Sequence, residues 1–332
     1  MKIFLYNSDN GPDYLADLIN YYFISKRYQI FTNYRLDFLF DDFKNKELLY
    51  GKGFTLYGNL KSSYKKSITV LNNDEFKKSL NEFDLLIFTS IHRKFQNQSI
   101  KEDKFPEIYN NSTNKELIVI DGEDFSKVDN SVAKKSNYFK RELTSENRKI
   151  AKPISFSFPE LEISKNKTPI INKTQLLAPM DPRYLNSYIF NENEYFEQYA
   201  KSLFGVTTKK GGWDCMRHYE ILNANTLPYF PNIEEKPSLT MKYYPHGLQN
   251  EVNKLFKSLI IGNENIDTLE KIRLRYYSKN YAKRSIKKVK TKLSKLNMIE
   301  NNIKKLEELN KDFQDWFLEH GTTQIYKKIF NL

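Results

Sequence analysis

The 332-residue chain holds a single cysteine, Cys215. An intramolecular disulfide and a cysteine-based zinc site are excluded, and a reducing compartment is the simpler setting. No stretch reaches the roughly 20 apolar residues that a membrane span needs. The opening apolar run, Lys2 to Tyr6, is too short for a secretory leader, and polar residues follow at once. The expected location is therefore cytoplasmic. No G-x-G-x-x-G occurs, so the dinucleotide fingerprint is missing. There is no internal repeat, no finger spacing, no basic-aromatic sheet motif and no helix-turn-helix signal.

Aromatic and basic residues are plentiful. Aromatics make up 15% of the chain and hydrophobic residues 39%, enough to fill cores, and the length suits two domains. The net charge of +12 favours an anionic partner: nucleic acid, an acidic membrane surface or a phosphorylated substrate. A lysine-rich solvated surface is the plainer reading of the same number.

Along the chain, Lys2 to Tyr6 reads as a strand and Asn7 to Pro12, with Asp9, as a turn. Asp13 then opens a helix with Tyr14, Leu15, Leu18, Ile19 and Tyr22 on one face. Gln29 to Thr32 reads as a second strand, which makes a βαβ start. Residues 33 to 70, with Gly51, Gly53 and Gly58, show no clear period. Asp84 to Thr89 and Lys115 to Ile120 are continuous apolar runs of buried-strand type. His92 and Arg93 follow the first run, and Asp121, Glu123 and Asp124 follow the second. Loops at the carboxyl ends of parallel strands face the ligand crevice, so these residues are expected around one crevice, with His92, Asp121, Glu123, Asp124 and Asp9 as candidates for a catalytic base.

Residues 160 to 173 are polar and aperiodic and mark the domain boundary, giving units at 1–162 and 173–332. The second unit has strands at Gln175 to Ala178, Phe204 to Val206 and Leu227 to Phe230, with a helix at Asn193 to Ser202. Its end is helical: Leu248 to Ile260, Ile266 to Tyr281, a lysine-rich helix at 283–295, a stripe of Leu306, Leu309, Phe313, Trp316 and Phe317, and a last helix capped by Thr322 and Thr323. The expected fold is α/β: two Rossmann-like domains facing a cleft, with a helical C-terminus. The basic helix reads as a solvated face, an anionic-membrane contact or a nucleic-acid contact.

The stretch from Phe204 to His246 carries most of the chemistry. A short strand ends in Thr207, Thr208, Lys209, Lys210, Gly211 and Gly212, and a helical pattern follows through Trp213, Met216 and Tyr219 or Glu220. Free N–H groups at Gly211 to Asp214 are expected at the helix start, where the dipole favours an anion. Arg217 offers a fork for phosphate oxygens, and Glu220 is a carboxylate placed to accept from a ribose diol. Spacing alone leaves two readings open: a nucleoside diphosphate site, or a tight turn followed by an i,i+3 ion pair.

The segment GVTTKKGGWDCMRHYEILNANTLPYFP resembles the nucleotide-sugar-binding segment of GT-B glycosyltransferases. It is most similar to the exostosin-like and CgeB-like groups. The likeness rests on Arg217-His218-Tyr219-Glu220, on Asn223-Ala224-Asn225 and on Leu227-Pro228-Tyr229-Phe230. Asn225 stands where the family often has glycine. The resemblance implies a GT-B-like glycosyltransferase that moves a sugar from a nucleotide-sugar donor to an acceptor hydroxyl, as in surface glycan synthesis. It implies Glu220 on the ribose, and Arg217 with Lys209 or Lys210 near the diphosphate, with Thr208, Gly211 and Gly212 lining the same site. Any catalytic base then comes from the first domain, from among Asp121, Glu123, Asp124 and His92. No cofactor is expected beyond the donor. The alternatives are a metal-dependent transferase using the Asp121–Asp124 cluster, a glycosyltransferase acting on modified DNA, and a non-catalytic nucleic-acid-binding protein.

Overall fold

The computed structural model describes residues 1–7, 12–89, 117–164, 167–182, 190–260 and 299–332. Asp9, His92, Arg93, the 266–281 segment and the basic stretch at 283–295 lie outside the described residues.

The first unit is built on a parallel sheet. Its strands are β1 (Lys2–Asn7), β2 (Gln29–Thr32), β3 (Ile68–Val70), β4 (Leu85–Thr89), β5 (Leu117–Asp121), β6 (Asn137–Lys140) and β7 (Lys152–Pro153). They lie in the order β3-β2-β1-β4-β5-β6-β7. The order reverses beside β1, the doubly wound pattern that opens a crevice at the carboxyl ends of β1 and β4.

Period-2 alternation explains why this sheet is covered on both faces. Ile3 and Leu5, Leu85 and Ile87, and Ile118 and Ile120 point into one core. Phe4 and Tyr6, Leu86 and Phe88, and Leu117 and Val119 point into the other. Helix α1 (Tyr14–Ser25) packs in the first core, and the Asp13 carboxylate caps it by accepting from the N–H groups of Leu15 and Ala16.

The second unit has a smaller parallel sheet of β8 (Gln175–Leu177), β9 (Ser202–Val206) and β10 (Leu227–Tyr229), ordered β10-β9-β8. Helix α3 (Glu192–Ala200) precedes β9, with α2 (Asn73–Ser79) lying earlier in the first unit. Helix α4 (Met216–Asn223) connects β9 to β10. Its core takes in α5 (His246–Ile260) and α6 (Ile299–His320) through Val252, Phe256, Leu306, Leu309, Phe313 and Phe317. The expected α/β architecture, two Rossmann-like units with a helical C-terminus, is the one observed.

The last helix, α7 (Ile325–Ile329), goes elsewhere than its position in the chain implies. Ile325, Tyr326 and Phe330 pack in the core of the first unit. Phe330 stacks on Phe23 and meets Phe139 edge-on. Thr322 and Thr323 do not cap this helix, whose N-cap position is held by Gln324. They pair with the linker instead: Phe158 N–H donates to Gly321 at 2.7 Å, and Thr323 N–H donates to Phe158 at 2.9 Å. The first core thus takes its final residues from the far end of the sequence.

Candidate functional site

Strand β9 ends at Val206, and Thr207 is tied by its N–H to the Tyr229 carbonyl at 2.9 Å. The Thr207 hydroxyl lies 2.8 Å from His218 Nδ1, and His218 Nε2 lies 2.8 Å from the Trp213 carbonyl. A carbonyl only accepts, so Nε2 carries the proton and Nδ1 accepts from Thr207. Arg217 then donates to the same hydroxyl at 3.4 Å. His218 is wholly buried and stacks on Phe230. Burial pushes its pKa down to about 4, so it is a neutral packing residue that orients Thr207.

Two cations share the mouth of this loop. Burial lowers the Lys210 pKa, and the like charge of Arg217 lowers it further. Lys209 is exposed and lies over the Trp213 ring. Thr208 donates to the Asn232 side chain at 3.3 Å. An anion placed between Lys210 and Arg217 relieves their repulsion.

One turn further along α4, Glu220 is buried. One carboxylate oxygen accepts from the Thr55 hydroxyl at 2.5 Å and the other from the Tyr195 hydroxyl at 2.7 Å. Burial raises its pKa, against the opposing pull of these two bonds and of Arg217. Thr55 belongs to the first unit and has φ 74. A β-branched residue in that left-handed region is strained by about 1–3 kcal/mol.

Gly211 and Gly212 sit differently from the sequence expectation. The helix begins at Met216, with Cys215 at the N-cap, so the glycines lie in a bend ahead of it. The Asp214 N–H, expected free, donates to the Glu142 carboxylate at 3.2 Å. A side chain on Gly212 would meet Glu142 at 2.5 Å, Arg141 at 2.7 Å and Asp124 at 2.8 Å. On Gly211 it would collide with Asp124. The glycines let the two units approach, with Asp124, Arg141 and Glu142 on their far side.

That opposing wall is formed by the carboxyl ends of β5 and β6. Arg141 is buried; it donates to the Gly122 carbonyl at 2.9 Å, to the Asp214 carbonyl at 2.5 Å and to Glu142 at 3.0 Å, and it pairs with Asp124. Asp214 is buried as well, and its side chain accepts from Phe156 N–H at 2.6 Å and from Tyr219 at 3.2 Å. Burial raises its pKa to about 6.

The sequence-predicted acids differ in what they face. Asp121 is fully buried, 2.7 Å from the Lys140 ammonium, and also accepts from Tyr138 at 2.6 Å. Burial pulls the Lys140 pKa down against the pull of Asp121. Glu123 is half-buried; its N–H donates to Asp121 and its carbonyl lies 3.3 Å from Lys140 Nζ. Asp124 is the exposed member, beside Gly211 and Gly212. Among the described residues, no three His, Cys, Asp or Glu side chains converge as a metal site would require. Asp121 and Asp124 each already face a cation.

Arg217, Lys210, Thr207 and Glu220 are brought together, with Gly211, Gly212 and Asp124 at one side. Thr55, Tyr195, Arg141, Glu142 and Asp214 were missed. Glu142 and Arg141 directly follow a strand, which is a readable signal; Thr55 gives none. Among the described residues, no helix is long and apolar enough to cross a membrane.

No family model matches the sequence, and no curated protein matches it. Solved structures similar to it include an alpha-glucosyltransferase in complex with UDP and a 13-mer DNA containing a central A:G mismatch. That chain is 11% identical, with 100% of this chain and 98% of that chain covered and a TM-score of 0.48. HepE from Anabaena, in complex with UDP, is 10% identical, with 89% of this chain and 100% of that chain covered and a TM-score of 0.41. Identities this low say nothing about individual residues.

Proposed function

We propose that the chain is a glycosyltransferase that moves a sugar from a nucleotide-sugar donor to an acceptor hydroxyl. The observation that carries the reading is the placement of Arg217, bonded to Thr207 at the end of β9, on the same helix as the buried Glu220 carboxylate one turn on, with Lys210 in the loop between β9 and that helix. Cations suit a diphosphate and a carboxylate suits a ribose diol, at the spacing one helical turn provides. The Thr207 and Thr208 hydroxyls lie on the same loop. Across from it, the first unit supplies the acceptor side.

In this reaction the acceptor oxygen bonds to the sugar's anomeric carbon. The bond from that carbon to the phosphate oxygen breaks, and the electron pair leaves with the nucleoside diphosphate. Lys210 and Arg217 stabilise the charge that develops there. The acceptor proton passes to a carboxylate. Asp124 is the favoured acceptor of that proton among Asp121, Glu123, Asp124 and His92: it pairs with Arg141 but is exposed beside the donor loop, whereas Asp121 is fully buried between Lys140 and Tyr138. The exostosin-like and CgeB-like likeness, the glycan acceptor, the cytoplasmic location and the membrane contact through 283–295 belong to this proposal. No metal is assigned a role in it.

A thermal-shift panel of nucleotide sugars tests the reading. One donor should raise the melting temperature, and Arg217→Ala should remove that shift while leaving the unliganded melting temperature within a few degrees. A wild-type protein that responds to duplex DNA and to no nucleotide sugar would sink it.

A further inference from the structure

We propose that Thr55 stands on Glu220 in the place of a ribose hydroxyl, so that a nucleoside diphosphate must displace it to bind. The inference rests on the donor reading of Glu220. Thr55 and ribose offer the same group, a secondary alcohol O–H, to the same buried carboxylate. The Thr55 hydroxyl donates directly to the Glu220 carboxylate at 2.5 Å. Tyr195, the other donor to Glu220, lies on α3 in the same unit as Glu220 and can stay. Thr55 comes from the first unit and is the partner that can leave.

The segment around Thr55 is built to deliver that one hydroxyl. Gly51, Lys52, Gly53, Thr55 and Gly58 all have left-handed φ, from 58 to 74. A side chain on Gly53 would collide with the Lys46 carbonyl, so this path needs glycine there. The Thr55 N–H donates to Glu192 at 2.7 Å, Glu192 also accepts from Lys46 at 2.6 Å, and the Thr55 carbonyl accepts from Asn59 at 2.7 Å. Phe54 packs on the Tyr195 ring. The contact is held at the expense of backbone strain in Lys52 and Thr55, neither of which is glycine. Thr55 is therefore a positioning residue that lowers donor affinity through Glu220.

Calorimetry with ADP, CDP, GDP and UDP tests this. For the diphosphate that wild type binds, Thr55→Val and Thr55→Gly should each bind about tenfold tighter, since a hydrogen bond to a charged group no longer has to be broken. Thr55→Gly suits the left-handed backbone and serves if the valine variant does not fold. Thr55→Ser should restore wild-type affinity. The matching 2′,3′-dideoxynucleoside diphosphate, with no hydroxyl to offer Glu220, should gain nothing from either substitution. Unchanged or weaker binding of the diphosphate by the folded variants overturns the inference alone, as does an equal gain for the dideoxy compound. If wild type binds none of the four, the donor reading and this inference fall together.

Discussion

His218 and Asp214 are buried four residues apart, and their protonation works in opposite directions. His218 is lowered to about 4 from 6.5, so its contribution to stability is present above pH 6.5 and is lost as pH falls through 4. Asp214 is raised to about 6 from 3.8, so its contribution is present below pH 3.8 and is lost as pH rises through 6. Between pH 4 and 6 the two partly cancel. Asp214→Asn should leave the histidine's loss unopposed, and its urea midpoint should fall more steeply than that of wild type from pH 6.5 to 4.5. His218→Gln should show the reverse slope over the same range. Parallel slopes in all three proteins would refute the opposition. Gly212 is the other residue whose chemistry is set across the cleft. Gly212→Ala should destabilise by about 1–3 kcal/mol in urea unfolding, because Arg141 and Glu142, which its methyl would strike, are themselves buried and bonded. A midpoint equal to wild type would mean that this wall yields.

At the scale of elements, α7 makes the clearest prediction. Phe330 lies near the end of the chain but fills the core of the first unit between Phe23 and Phe139. Phe330→Ala should cost about 3 kcal/mol or more in denaturant unfolding, and hydrogen exchange should show the loosening at β6 and α1 rather than in the second unit. The sequence could not say this. Ile325 and Ile329 show that a face is covered, but periodicity never says by what. The buried strands were legible because Leu85–Thr89 and Leu117–Asp121 are unbroken apolar runs with no competing period. The start of α4 was misread for a physical reason. Trp213, Met216 and Glu220 keep helical spacing, yet the Asp214 N–H is taken by Glu142, some seventy residues earlier in the chain. The segment from Tyr50 to Gly58 resisted reading because consecutive left-handed residues produce neither a period of 2 nor one of 3.6. Arg217 and Glu220 were legible as a pair. That Glu220 would be held by Thr55 was not, since a lone threonine carries no pattern.

For the whole molecule, two groups of contacts between the units flank the candidate site. One is the carboxylate and guanidinium wall of Asp124, Arg141 and Glu142 against Gly211–Asp214. The other is the bond from Thr55 to Glu220 with its supports at Lys46 and Glu192. Both flank the loop of Lys210 and the start of α4 with Arg217, so the spacing of the units and the shape of that site are set together. The chain also crosses between the units twice, once through the linker near Phe158 and once on the way back to α7. The two crossings run side by side, joined through Phe158, Gly321 and Thr323. Two parallel straps fastened together behave like a door hung on one hinge line. A single proteolytic cut in either strap would leave the other as the covalent tether between the halves.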